Sequence, residues 1–110
     1  MSLAEKLRKA REVKVEAAGF TFTIRRPTAL EMIELQKQSA ARAVLPFVVG
    51  WEGVSELSMF DGGAPHPLPF DATVCAEWLT DRLDILGEIV KAVFKAYEDH
   101  QLKLAEAAKN

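Results

Sequence analysis

Two histidines, His66 and His100, one cysteine, Cys75, and the pair Arg25-Arg26 are the side chains of this 110-residue sequence best suited to chemistry. Their surroundings do not support it. A zinc site needs Cys or His ligands at set spacings, and neither histidine has such a partner. Cys75 falls on a predicted helix beside Val74 and Trp78, which reads as a buried structural thiol rather than a nucleophile. Gly62-Gly63 has no preceding strand and no following Lys-Ser/Thr, so it is not a phosphate loop. Carboxylates are frequent in the second half of the chain, but none forms a distinctive pair. Arg25-Arg26 ends a strand, where adjacent arginines usually face solvent. The reading is a non-enzymatic protein with no catalytic residue, no metal and no cofactor.

The residues that invite a functional reading are apolar. In the stretch VLPFVVGWEGVSE, Val44, Phe47, Val48 and Trp51 lie at i, i+3, i+4 and i+7 and would share one helical face. Pro46 would start this helix or kink a longer one, and Gly53 would cap its C-terminus. Large aromatics dominate both cores and interface hot spots. Trp78, in the company of Val74 and Leu79, reads as core. Trp51, between two glycines, fits either role. Near the other end, Leu86, Ile89, Val90, Val93, Phe94 and Tyr97 form a wide apolar stripe. Phe47, Val48, Trp51, Val93, Phe94 and Tyr97 are therefore the candidate partner-binding residues, with Met32 and Met59 as adaptable additions.

Five segments are expected to position these residues within one domain, 1–110. Ser2-Leu3-Ala4-Glu5 has capping-box form and opens a basic N-terminal helix or arm over residues 1–12. Alternation of Val13, Val15 and Ala17, then of Phe20, Phe22 and Ile24, predicts a β-hairpin over 13–25 that turns at Ala17-Ala18-Gly19. Pro27 stops the second strand, and Thr28-Ala29-Leu30-Glu31 caps the first of the helices expected over 28–53. Gln38-Ser39-Ala40-Ala41 marks a weak point there. Gly62-Gly63 with Pro65, Pro67 and Pro69 predicts a loop over 54–69. Asp71 then caps a helix, with Phe70 as its hydrophobic staple, and Asp81 or Asp84 caps the last one, within 71–108. The fold class is α+β, predominantly helical: an N-terminal hairpin packed on about four helices with a long Gly/Pro loop.

Composition narrows the function further. The chain is 49% hydrophobic and 27% charged, as in an average globular domain, and carries a net charge of −2. That balance argues against a dedicated nucleic-acid binder. The longest apolar run, Val44 to Val49, falls far short of the roughly 20 residues a membrane span needs. No secretory signal is read, and a single cysteine excludes an internal disulfide and fits a reducing compartment. Charge is unevenly spread. Residues 1–42 hold nine Lys/Arg and five Asp/Glu, whereas residues 43–110 hold five and eleven. This pattern fits solvated faces of opposite sign, or self-association of the basic end of one copy with the acidic end of the next.

The order of these signals resembles the tail assembly chaperones of long-tailed bacteriophages and prophages. GFTFTIRRPT, then FVVGWEGVSE, a Gly/Pro loop, and PLPFD with two helices carry the resemblance over about residues 18–100. Its most specific pieces are Gly50-Trp51-x-Gly53-Val54 and Leu68-Pro69-Phe70-Asp71. The resemblance implies a mostly helical protein with small strands, acting in the bacterial cytoplasm and absent from the mature virion. It implies binding to the tape-measure protein, whose apolar helices it would keep from aggregating, and help to the tail-tube protein as it polymerises. Self-association is expected as a way to shelter apolar surface. Many members are extended by a programmed −1 ribosomal frameshift, and Ala108-Lys109-Asn110 is compatible with a slippery A-AAA-AAC heptamer. The alternatives are a structural head–tail or tail connector protein retained in the virion, and a small non-phage adaptor domain.

Overall fold

The computed structural model describes residues 1–38 and 41–109. The expected weak point at Ser39-Ala40 and the Asn110 end of the slippery-site reading lie outside the described residues. In chain order the elements are α1 (Leu3–Ala10), β1 (Glu12–Ala17), β2 (Phe20–Arg25), α2 (Ala29–Gln36), a 3₁₀ helix (Ala41–Phe47), β3 (Val48–Glu52), a short 3₁₀ turn (Glu56–Ser58), α3 (Ala72–Leu79) and α4 (Leu83–Ala108). The class is α+β, with one antiparallel sheet in the order β1-β2-β3.

The hairpin forms where alternation predicts it. Ala17 pairs with Phe20, leaving Ala18 and Gly19 as a two-residue turn. Both have positive φ, 52° and 84°, which gives the twist that matches the flanking strands. Phe22 and Ile24 face inward and are fully buried.

The segment after α2 departs from expectation. Val44 to Trp51 is not one amphipathic helix: a 3₁₀ helix containing Pro46 gives way at Val48 to a strand that covers the free edge of β2. Two β-branched residues and Gly50 disfavour helix, and β2 offers a row of backbone groups that need partners. The helical spacing of the apolar residues has a different origin. Phe22 pairs with Trp51 and Thr23 with Gly50, but Ile24 pairs with Val48, so Val49 is an extra residue on β3. This bulge turns both Val48 and Trp51 to the buried face, although they are three residues apart. Gly53, with φ of 76°, leads the chain out of a strand and is not a helix cap.

Three of the predicted caps are present. The Ser2 and Asp71 side chains accept from the Glu5 and Val74 amides, and Thr28 and Glu31 complete a capping box. The last helix differs: its N-cap is Arg82, whose side chain gives no cap bond and instead forms a bidentate pair with Asp84 at 3.0 and 2.9 Å. Glu31 has a second partner in Arg25, at 2.9 Å, and the Arg25 guanidinium sits 4.4 Å over the Phe47 ring. Burial disfavours the ionised Glu31 carboxyl, but the bonds from Arg25 and Thr28 overcome this and hold it below the usual carboxylate range. A lowered folded-state value means that the stabilisation is complete above the unfolded value and disappears as pH falls through the folded one. Glu31→Ala is expected to cost about 1 kcal/mol at neutral pH, mostly through the lost cap. In urea titrations at decreasing pH, the gap from wild type should close below the ordinary Glu range.

Residues 54–69 are better ordered than their Gly/Pro content suggests. The Leu68 amide donates to the Val54 carbonyl at 2.8 Å, and Ser55 bridges to Pro67, so the ends of the loop are clasped. Inside it, the Leu57 amide donates to Ala64 O and the Ala64 amide to Glu56 Oε1. Gly63 is required here, because a Cβ at that position would lie 2.6 Å from the Glu56 carbonyl carbon.

The core lies between the sheet, α3 and the first half of α4. Cys75, Trp78 and Leu79 come from α3, and Ile85, Leu86, Ile89 and Val93 from α4. After Val93, α4 continues to Ala108 with no further buried residue. Helix α1 buries none of its residues at all. The molecule is elongated, 56 × 35 × 21 Å.

Candidate functional site

The six candidate partner-binding residues separate into two groups. Phe47, Val48, Trp51 and Val93 are buried, at 5, 4, 9 and 0% exposure, and offer no surface to a partner in this conformation. The reading of Trp51 that survives is core. Its ring meets Trp78 edge-on at 6.1 Å and Phe70 at 5.0 Å, and its Nε1–H donates to Leu68 O at 2.9 Å. The Phe70 ring contact is with Trp51, which ties α3's lead-in segment to β3. The two sequence pieces Gly50–Val54 and Leu68–Asp71 are thus one packed unit, joined by a ring contact and by backbone and side-chain hydrogen bonds.

Phe94 and Tyr97 are outside the core. Phe94 is 38% exposed and Tyr97 is half-buried, and both line an open cleft of about 730 Å³ between α4 and α2. Met32 of α2 borders the cleft but is itself buried, at 4% exposure, and Met59 packs against the core, so neither is the adaptable surface contact expected of it. Leu102 extends the apolar wall one turn beyond Tyr97. Lys91, Lys95 and Glu98 form its charged rim. Phe94, Tyr97 and Leu102 follow i, i+3, i+8 spacing, which keeps them on one side of a helix. Leu102 was legible as an apolar position, but its role was not, since nothing in the helical period tells a stripe facing the core from one facing solvent. Ile33 of α2 and Leu3 and Leu7 of α1 are more than half exposed and add further apolar surface. The Leu3–Leu7 face, one helical turn apart, was the signal available in the sequence for α1.

The groups with chemical potential are placed as follows. His66 is exposed in the 54–69 loop. His100 lines a second, separate groove between α1, β1 and α4, together with Arg11, Arg26 and Lys103. Among the described residues, no cluster of three or more His, Cys, Asp or Glu side chains is arranged to hold a metal. Arg25 is engaged by Glu31 and Phe47 rather than facing solvent. Cys75 is buried, and burial pushes its thiol up to about 11. Since the thiolate is the reactive form, Cys75 is expected to resist alkylation by iodoacetamide in the native protein and to react on unfolding. Mass measurement after timed labelling, with and without denaturant, checks this. Among the described residues, no helix is long and apolar enough to cross a membrane.

No protein-family model, curated protein or solved structure matches the chain.

Proposed function

We propose that this protein is a non-enzymatic tail assembly chaperone of a long-tailed bacteriophage or prophage. In this reading it binds the tape-measure protein in the host cytoplasm, shields apolar helices from aggregation, and assists tail-tube polymerisation without remaining in the virion. The observation that carries the reading is the outer face of α4. Phe94, Tyr97 and Leu102 stay accessible beside Met32 although the core is already closed by Ile85, Leu86, Ile89 and Val93. Such a cleft, apolar inside and charged at its rim, suits an amphipathic helix laid along α4. Partly exposed aromatics and the exposed Leu102 make contacts that are replaceable, as a transient sheltering role requires. Further support comes from the packing of the two resemblance motifs, Gly50–Val54 and Leu68–Asp71, into one unit.

Co-expression with the tape-measure protein tests the reading. The expected result is a clear rise in its soluble fraction; no change would count against the function. Quantitative mass spectrometry of purified virions separates the chaperone from a connector protein, because a connector would be found at stoichiometric levels.

A further inference from the structure

The groove on the other side of α4 is chemically unlike the apolar cleft. It measures about 810 Å³ and lies between α1, β1 and the second half of α4. Leu7, Ala10, Val13, Val15, Ala92 and Ala96 provide its apolar surface. Five Lys or Arg side chains, a single carboxylate, Asp99, and the His100 imidazole complete the lining. Two of the cations are already engaged, Lys14 with Glu52 at 2.8 Å and Lys95 with Asp99 at 2.9 Å. Arg11, Arg26 and Lys103 have no salt bridge to a carboxylate among the described residues, and Arg26 donates to the Pro27 carbonyl.

These three cations act on one another's neighbourhood. Partial burial, followed by the charges of Arg26, Lys103 and Arg11, holds the His100 imidazole below its ordinary value. Burial and the nearby Arg11 charge likewise lower the proton affinity of Arg26. A cluster of like charges beside apolar surface costs the free protein stability and is relieved by a negative ligand.

We infer that this groove seats an acidic amphipathic helix of a partner protein, its apolar face on Val13, Val15 and Ala96 and its carboxylates toward Arg11, Arg26 and Lys103. The inference goes beyond the proposed function by adding a second contact surface to the α4 cleft, and it rests on that reading only for the identity of the partner as the sheltered tail protein. Small side chains at Ala10, Ala92 and Ala96 let a third helix approach α1 and α4 at ordinary packing distance. A nucleic acid is a poorer fit, because nearly half of the lining is aliphatic and no Phe, Tyr or Trp ring is present for base stacking.

The test uses the full-length chain and two labelled synthetic peptides of about 20 residues, long enough for helix to form. One has a Leu/Ala face and a Glu face, and its twin carries Lys in place of Glu. Fluorescence anisotropy should show binding of the acidic peptide only, weakening as salt is raised. Arg11→Gln with Lys103→Gln should weaken binding about tenfold, while the melting temperature stays level or rises because repulsion is removed. Undetectable binding, equal binding of the Lys twin, or undiminished binding by the double variant would overturn the inference. So would tighter binding of a single-stranded oligonucleotide that displaces the peptide, or sedimentation showing that the groove is filled by a second copy of the chain. Failure of wild-type protein to solubilise the tape-measure protein would instead remove the proposed function and leave the peptide result standing.

Discussion

Trp51→Ala is expected to lower the unfolding free energy by about 3–5 kcal/mol, the usual cost of truncating a large buried aromatic. The indole joins three parts of the chain. It sits on β3 opposite Phe22, touches Trp78 of α3 edge-on at 6.1 Å, and packs on Phe70 at 5.0 Å. Its Nε1–H also satisfies the Leu68 carbonyl at 2.9 Å, which anchors the far end of the 54–69 loop. Alanine therefore opens a cavity, removes two edge-to-face contacts and leaves a carbonyl short of a donor. Because domains of this kind are stable by only about 5–15 kcal/mol, the alanine variant risks unfolding outright. Trp51→Phe keeps much of the ring and loses the hydrogen bond, and should cost about 1–2 kcal/mol. Guanidinium titration followed by circular dichroism measures both, and hydrogen exchange should show the 54–69 amides opening sooner. A cost below about 1 kcal/mol for Trp51→Ala would mean that the side chain is not the core element described above.

Ile89→Ala should cost about 2–5 kcal/mol, whereas Leu102→Ser on the same helix should change stability by no more than about 0.5 kcal/mol. The contrast follows from how α4 is divided. Ile89 is fully buried and belongs, with Ile85, Leu86 and Val93, to the stripe that closes the core. Leu102 is 63% exposed, on the part of the helix that has no buried residue of its own. Its removal gives up little that folding had gained, since the side chain is mostly in water in the free protein. Any loss that Leu102→Ser causes in partner binding is then attributable to the surface itself. Chemical denaturation of the two variants side by side measures the difference, and comparable losses would show that α4 packs along its whole length.

Much of this architecture was legible in the residues, for local reasons. Capping at Ser2, Thr28 and Asp71 depends on side chains three residues from the amides they bind. The hairpin depends on period-two alternation and a short turn, which are also local. The third strand was hidden because its bulge at Val49 gives Val48 and Trp51 the spacing of a helical face. Only the pairing with β2, a contact distant in sequence, distinguishes the two. The order of the 54–69 loop was hidden for a similar reason: its clasp joins Val54 to Leu68, and its interior relies on Gly63 lying against the Glu56 backbone. At the candidate site, Phe94 and Tyr97 were legible as apolar, and the structure adds that they face outward. Phe47, Val48, Trp51 and Val93 have the same side-chain character and face inward. Hydrophobicity alone does not separate the two groups, because a buried stripe and a binding stripe are made of the same residues. The arginines and Lys103 around His100 were scattered over the sequence and meet only when α1, β1 and α4 come together.

The central claim is that the outer face of α4, and not the neighbourhood of Trp51, holds the partner. The direct measurement is the soluble fraction of the tape-measure protein on co-expression with wild-type chain and with the Phe94→Ser/Leu102→Ser variant, whose own folding is verified by its thermal melt. The account predicts soluble tape-measure protein with wild type and a large loss with the folded variant. Equal solubility with both proteins would contradict it.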